Sequence, residues 1–232
     1  MERVLRHVDH LRVHAAGLVI ALALSVMVGR AVATIALDCA HNRITFLYQG
    51  RFDIPESDKK AHDLPWYTNW SARFLSLEAA AWWMDDVRNL DFAEQAPRFA
   101  ERVETWAFAW TLLILVTTLY TSRRHGLLAC IATGTAILFG YLPGIADRIY
   151  PWDLPALFFF ALFVWLWRRN RQGWILLLIP VGTLFKETVA VWALAFLWMD
   201  GDLRRRQLWA ISGAALGLGT YVAAATLIPA GT

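Results

Sequence analysis

Residues 174–199, WILLLIPVGTLFKETVAVWALAFLWM, decide how this chain folds. The run is apolar except for Lys186 and Glu187, which are adjacent and have twelve uncharged residues on each side. A charged side chain in hydrocarbon persists where it faces water, an opposite charge or a polar ligand. The run therefore predicts a membrane protein with a buried polar centre, and that centre is the first place to look for a functional site.

The composition of the chain predicts a polytopic membrane protein built from α-helices. Of its 232 residues, 58% are hydrophobic and only 18% are charged, which is less charge than a soluble domain carries. The net charge of +3 is small, and the basic residues fall in clusters between apolar runs. Such placement is typical of orientation in a bilayer and argues against nucleic-acid binding, which needs basic and aromatic residues interleaved.

Six apolar runs are predicted to lie in the bilayer, which a helix of about 20 residues can cross. With flanking residues included, they are 13–37, 106–122, 126–142, 154–168, 174–199 and 207–228. Arginine clusters precede the first and last runs and follow the second and fourth, and the positive-inside rule places them in the cytoplasm. We therefore predict one membrane domain, an α-helical bundle with a cytoplasmic N-terminus and a long outer loop over residues 38–105.

The run 174–199 does not fit simple alternation, because basic clusters flank both of its ends. A straight helix of this length would be about 39 Å long and would cross the membrane, whereas two half-helices of about 18 Å could enter and return. Pro180 and Gly182 weaken the helix before its midpoint. We favour a broken or re-entrant helix that turns near residues 185–188, with a straight span as the alternative.

The predicted outer loop 38–105 is too long to be a simple connector. Residues 70–87 have apolar residues on one side and charged residues at other positions. They are predicted to form an amphipathic helix that lies at the membrane interface. A second short helix is predicted over Phe92–Glu104. Carboxylates of this loop, including Asp85 and Asp86, could serve as a general base or hold a divalent ion, although most such groups are solvated surface charges.

Lys186, Glu187 and Asp153 are the first candidates for a site. Lys186 could contact a phosphate and Glu187 could orient a hydroxyl group; alternatively, the two opposite charges neutralise each other where the helix breaks. Asp153 falls near the first turn of the helix over residues 154–168. There it either complements the helix dipole or faces the same cavity as Lys186 from the mouth of the bundle.

Two residues of the outer loop complete the set of candidates. Asp38 directly follows the first span, so it would lie close to an active site at the outer membrane face. Arg73 lies in the stretch Trp70–Leu75, where it could clamp a phosphate through two hydrogen bonds or extend toward lipid headgroups.

The order of these features resembles the polytopic membrane glycosyltransferases of the GT-C type, in particular bacterial proteins of polysaccharide assembly. A first span leads into an outer loop that opens with Asp38, and an aromatic-Arg-aliphatic stretch leads into an amphipathic helix. An aromatic Tyr150–Asp153 segment precedes a later span, and Leu184–Thr188 looks like the basic-Glu-Thr signature of such proteins. The likeness covers their N-terminal module only.

The resemblance implies an enzyme of the bacterial inner membrane that uses a polyprenyl-phosphate-linked sugar at the outer face. It implies Asp38 as the base, together with a divalent ion such as Mg²⁺ or Mn²⁺, for which Asp38 would be a ligand. Glu187 would be a second catalytic group. Arg73, Asp153 and Lys186 would bind the donor, with the two cations neutralising its phosphate.

Two other classes of function fit the same sequence. A non-catalytic subunit that packs against a larger membrane complex would explain the modest length and the 13 Trp and 13 Phe residues. Its charged side chains would pair with one another or with the partner. A small transporter would use the broken helix to bind substrate and would need a path that reaches toward both sides of the membrane.

Overall fold

The computed structural model describes residues 13–37, 82–83, 85–87, 90, 92–122, 125–144, 153–198 and 202–227. Within these ranges the chain is helical and contains no strand, which confirms the predicted all-α class for the described residues. The longer α-helices are α1 (Val13–Leu37), α2 (Phe92–Thr121), α3 (Gly126–Ala136), α4 (Asp153–Arg168), α5 (Gln172–Phe185) and α6 (Leu203–Leu227). A 3₁₀ helix, Glu187–Trp198, separates α5 from α6.

Two helices are long and apolar enough to cross a membrane, Val13–Leu37 and Glu94–Thr121. They fit association with a membrane. Three shorter apolar helical stretches follow them, Gly126–Tyr141, Gln172–Phe185 and Thr188–Trp198. The insertion of six segments into a bilayer, and their orientation, stay predictions.

Helix α2 joins two segments that the sequence patterns predict separately. The short helix expected over Phe92–Glu104 and the span expected over residues 106–122 form one continuous helix. The charged residues of the first segment, which lie outside the apolar run, pair with neighbours and continue the helix. Glu104, for example, forms a 3.0 Å ion pair with Arg30 of α1. Most of the amphipathic helix predicted over residues 70–87 lies outside the described residues.

Glycines allow α1, α2 and α3 to pack closely. A methyl group added at Gly29 would lie 3.0 Å from the Glu104 carbonyl oxygen, and one added at Gly134 of α3 would lie 2.6 Å from Leu24. Leu24 packs against a small cluster of buried side chains from the three helices. The buried side chains around the Gly29 crossing form a larger hydrophobic cluster that reaches the first turn of α4. Its members include Val28, Val32, Phe99, Val103, Ile114, Ile137 and Leu154.

The run 174–199 forms a hairpin. Helix α5 ends at Phe185, the backbone of Lys186 is extended (φ −154°, ψ 124°), and the 3₁₀ helix then returns along α5. A methyl group added at Gly182 would lie 2.7 Å from Val189, so the glycine is required for this close return. Near the turn α4 contacts α5, and farther along α4 contacts the 3₁₀ helix through Phe163 and Phe196.

Small residues allow the hairpin to pack closely against α6. A methyl group added at Gly213 would lie 2.8 Å from the Ala193 Cβ, and one added at Gly217 would lie 2.9 Å from the Ala190 Cα. The contact at Gly217 involves backbone, which cannot rotate away as a side chain can. By contrast, Gly219 of the same helix has open space around it.

We predict that Gly217→Ala lowers the free energy of unfolding by about 1–3 kcal/mol, because overpacking forces α6 away from the 3₁₀ helix. The matched variant Gly219→Ala should be neutral or stabilising by up to about 1 kcal/mol, because alanine favours a helix over glycine. Thermal unfolding of the purified chain in mild detergent measures both. Equal effects of the two substitutions would contradict the close contact.

An ion-pair network ties the 3₁₀ turn Asp85–Val87 to the start of α2. The Asp86 carboxylate accepts hydrogen bonds from Arg102 Nη2 at 2.7 Å and from Arg98 Nε at 2.9 Å. The hydrogen bond from Arg102 is the largest cause that lowers the pKa of Asp86 below its ordinary value, and Arg98 adds to it. The Trp83 indole N–H also donates to the Arg102 carbonyl oxygen at 3.1 Å. The network therefore fixes this turn on α2.

The lowered pKa predicts how this turn responds to acid. A carboxyl group whose pKa falls on folding stabilises the fold above its unfolded pKa of about 3.9, and the contribution is lost as the pH falls through the folded value. Asp86→Asn should therefore unfold at a lower temperature than wild type near neutral pH, and the difference should vanish in acid. Glu94→Gln, at an exposed acidic position of α2, should show no such difference. A pH-independent difference would contradict this account.

Candidate functional site

Asp153 is the first residue of α4, which is where a carboxylate is favoured by the helix dipole. Pro155 follows within the first turn, where a missing backbone N–H costs no helical hydrogen bond. The Asp153 side chain is buried, with only 11% of it exposed. A buried carboxylate needs a partner, because burial without one carries a large desolvation cost.

That partner is Lys186, at the turn of the hairpin. The ammonium Nζ donates a hydrogen bond to Asp153 Oδ1 at 2.5 Å, and 27% of the Lys186 side chain is exposed. Lys186 stands at the C-terminal end of α5, where its positive charge complements the dipole. Its backbone N–H donates to the Gly182 carbonyl at 2.8 Å, and its own carbonyl accepts from Val189 at 3.0 Å. Both charges therefore occupy helix ends that favour them.

Aromatic rings hold the turn in place. Phe185, directly before Lys186, packs against Phe159 of α4 at 5.1 Å between ring centroids and against Trp110 of α2 at 5.9 Å. Trp110 also contacts Phe158 at 5.5 Å. Three helices thus meet beside the ion pair, so the position of the ammonium group is set by packing as well as by charge.

The ion pair lines a cavity of about 310 Å³, which we call the polar cavity. Tyr141 and Thr188 add hydroxyl groups to its wall, and the Tyr141 hydroxyl interacts with the Asp153 carboxylate. The remaining wall is apolar and consists of Ala156, Leu157, Phe160 and Trp192. Because Lys has three N–H donors and Asp153 Oδ1 takes one of them, the ammonium can still donate to a ligand in this cavity.

A larger cavity, of about 610 Å³, adjoins the polar cavity. We call it the apolar groove. It lies between α2, α3 and α4, and it shares Tyr141, Leu157 and Phe160 with the polar cavity. Its far end carries Ser122, His125 and Arg168.

The structure brings together two of the predicted site residues, Asp153 and Lys186. Asp38 and Arg73 lie outside the described residues, so their predicted convergence on the same cavity stays a prediction. Glu187 is the first residue of the 3₁₀ helix; the structure does not describe its side chain. Asp86, a weaker candidate, pairs with Arg98 and Arg102. That pairing fits the surface-charge interpretation of the loop carboxylates.

Sequence reasoning missed Tyr141. It ends a π-helical turn, Ile137–Tyr141, that continues α3. Such turns occur frequently at functional sites, but their wider spacing gives no distinct hydrophobic pattern. The tyrosine therefore looked like one more aromatic residue at the end of an apolar run.

No group of three or more His, Cys, Asp or Glu side chains that could hold a metal ion occurs in the described part of the chain. Asp38, the predicted ligand of a divalent ion, is not in that part. Comparison of the chain with protein-family models, with curated proteins and with solved structures finds no match.

A double-mutant cycle on Asp153→Asn and Lys186→Gln should give a coupling energy of about 2 kcal/mol, because the pair is largely shielded from water. The control is the exposed pair Arg98 and Glu101, one turn apart on α2, whose coupling should be about 0.5 kcal/mol. Unfolding in mild detergent provides the free energies. A coupling at Asp153 and Lys186 no larger than that of the control would mean that the two charges do not meet.

Proposed function

We propose that this chain is a polytopic membrane protein of the GT-C type that handles a polyprenyl-phosphate-linked sugar at the outer face of the bacterial inner membrane. The observation that carries the proposal is the Lys186 ammonium, which faces a cavity while it is hydrogen-bonded to Asp153. A cation with free donors in a mostly apolar wall suits a ligand that is anionic at one point and apolar elsewhere. A lipid-linked sugar phosphate has that chemistry.

The lengths of the helices support a site near one edge of the hydrocarbon layer. Helix α4 has 16 residues and is about 24 Å long, against about 30 Å for a hydrocarbon core. If the arginines at residues 168–171 lie in the cytoplasm, Asp153 and Lys186 lie close to the outer interface. The hairpin then enters and returns on the cytoplasmic side, which fits the basic clusters on both of its flanks.

In the proposed reaction, a hydroxyl oxygen of the acceptor bonds to the anomeric carbon of the donor sugar. The bond from that carbon to the phosphate oxygen breaks, and the polyprenyl phosphate leaves. The hydroxyl proton passes to a carboxylate, for which Asp38 and Glu187 are the candidates. Lys186 and Arg73 stabilise the negative charge that the phosphate gains, and Asp153 positions the Lys186 ammonium.

One observation favours the alternative of a non-catalytic subunit. The Lys186 and Asp153 charges satisfy each other, which is what a purely structural polar centre requires. Many large apolar side chains of the described helices are also exposed, and a partner helix could cover them as well as lipid could. The two adjoining cavities together extend from Asp153 to Arg168, as the path of a transporter would. The larger of them is lined mainly by apolar side chains among the described residues, which disfavours passage of a polar substrate.

A charge exchange separates the enzyme from the structural subunit. In the variant Asp153→Lys with Lys186→Asp the two charges can still pair, although each then opposes the helix dipole at its position. The variant should therefore keep part of the stability that Lys186→Met alone loses. If Lys186 binds donor phosphate, the exchanged protein should nevertheless lose about 100-fold or more in the rate of sugar transfer. The assay follows release of polyprenyl phosphate from a polyprenyl-phosphate monosaccharide with the full chain in lipid nanodiscs.

Arg204→Gln is the matched control, because Arg204 is an exposed cation at the start of α6, far along the chain from the turn. It should keep wild-type transfer. Full transfer by the exchanged protein, or co-purification of a stoichiometric larger membrane protein with no bound lipid-linked sugar, would contradict the proposed enzyme and favour the subunit.

A further inference from the structure

The apolar groove has the length of one leaflet of a bilayer. The α4 residues that line it are Leu157, Phe160, Ala161, Val164 and Arg168, which lie on one face of the helix at spacings of three and four. From Leu157 to Arg168 the helix rises about 16 Å. Half of a hydrocarbon core of about 30 Å is of the same size. A single acyl chain that enters from one leaflet would therefore fit the groove from end to end.

The charge of the groove is confined to one end. Among the described residues that line the groove, Arg168 is the only cation with a fixed charge, and none is a carboxylate. The Arg168 side chain is exposed and forms no ion pair with another residue in the described ranges. Arg169 and Arg171 follow it in the same turn. This end therefore attracts an anion, while the rest of the groove attracts hydrocarbon.

Hydroxyl groups surround the same end. The Ser122 hydroxyl oxygen accepts a hydrogen bond from the His125 backbone N–H at 3.2 Å, which leaves its proton for another acceptor. The Thr121 hydroxyl instead donates to the Thr117 carbonyl of its own helix at 2.8 Å. Arg168, Ser122 and the His125 ring thus provide donors for a phosphate at the basic end.

We propose that the apolar groove binds an anionic phospholipid, with its phosphate at Arg168 and Ser122 and one acyl chain extending toward Tyr141. Basic pockets between helices at the cytoplasmic surface are the sites that recognise anionic lipid headgroups. The positive-inside rule places Arg168 on that surface. This lipid is distinct from the proposed sugar donor, whose phosphate binds at Lys186 in the polar cavity. The end of the acyl chain would reach the residues that the two cavities share.

Native mass spectrometry of the full chain in mild detergent tests this site with two probes of identical acyl chains, dioleoylphosphatidylglycerol and dioleoylphosphatidylcholine. Phosphatidylglycerol should bind at least about fivefold more tightly. Arg168→Gln should remove most of this preference and leave phosphatidylcholine binding unchanged. Arg204→Gln removes the same charge outside the groove and should bind both lipids as wild type does.

A second variant tests the acyl chain independently of charge. Ala136 is exposed in the groove, so the larger side chain of Ala136→Trp should fill the groove without strain in the core. The affinity for both lipids should fall by about tenfold or more. The proposal is overturned if the two lipids bind equally to wild type, if Arg204→Gln acts as strongly as Arg168→Gln, or if Ala136→Trp binds both lipids normally. These measurements of lipid binding involve no sugar transfer, so they test the lipid site even if the chain proves not to be a glycosyltransferase.

Discussion

The ion pair between Asp153 and Lys186 is the interaction on which the rest of this structure depends. It joins the first residue of α4 to the turn after α5, two points that are 33 residues apart in the chain. Each charge stands at the helix end whose dipole favours it, so the pair and the two helices stabilise one another. Without the pair, a carboxylate and an ammonium group would be left in a largely apolar wall.

The pair also explains why the hairpin turns where it does. Ending α5 exposes backbone carbonyls, and the extended backbone at Lys186 lets the 3₁₀ helix return beside Gly182. The aromatic contacts of Phe185 with Phe159 and Trp110 fill the space around the turn. The ion pair determines where the chain turns, and the aromatic packing holds the turn in place. The polar cavity is the space that remains on the open side of the ammonium.

The sequence predicts some of these features and not others, for physical reasons. Lys186 and Glu187 in an apolar run predict a buried polar centre, because hydrocarbon tolerates charge only where it is compensated. Asp153 could be expected to face the same cavity, but its direct ion pair with Lys186 depends on how α4 packs against the turn after α5 and could not be predicted. The continuity of α2 could not be predicted, since the charged residues in its first half are compensated by Arg30 and Asp86 from other segments. Tyr141 depends on a π turn, which leaves no periodic signal. The apolar groove arises from three helices together and has no signature in any one of them.

The chain has only three lysines, so the central claim can be tested on one atom. With Lys59→Arg and Lys60→Arg, ¹⁵N-lysine labelling leaves Lys186 Nζ as the sole side-chain signal in a solid-state NMR spectrum of the protein in bilayers. The account predicts dipolar coupling of this nitrogen to an aspartate carboxyl carbon that disappears in Asp153→Asn, and coupling to ³¹P when a polyprenyl-phosphate sugar is added. The contrary result is that, in the wild-type protein at a saturating concentration of the polyprenyl-phosphate sugar, the coupling to the carboxyl carbon is unchanged and no coupling to phosphorus is seen. It would show that the ion pair is structural and binds no phosphate.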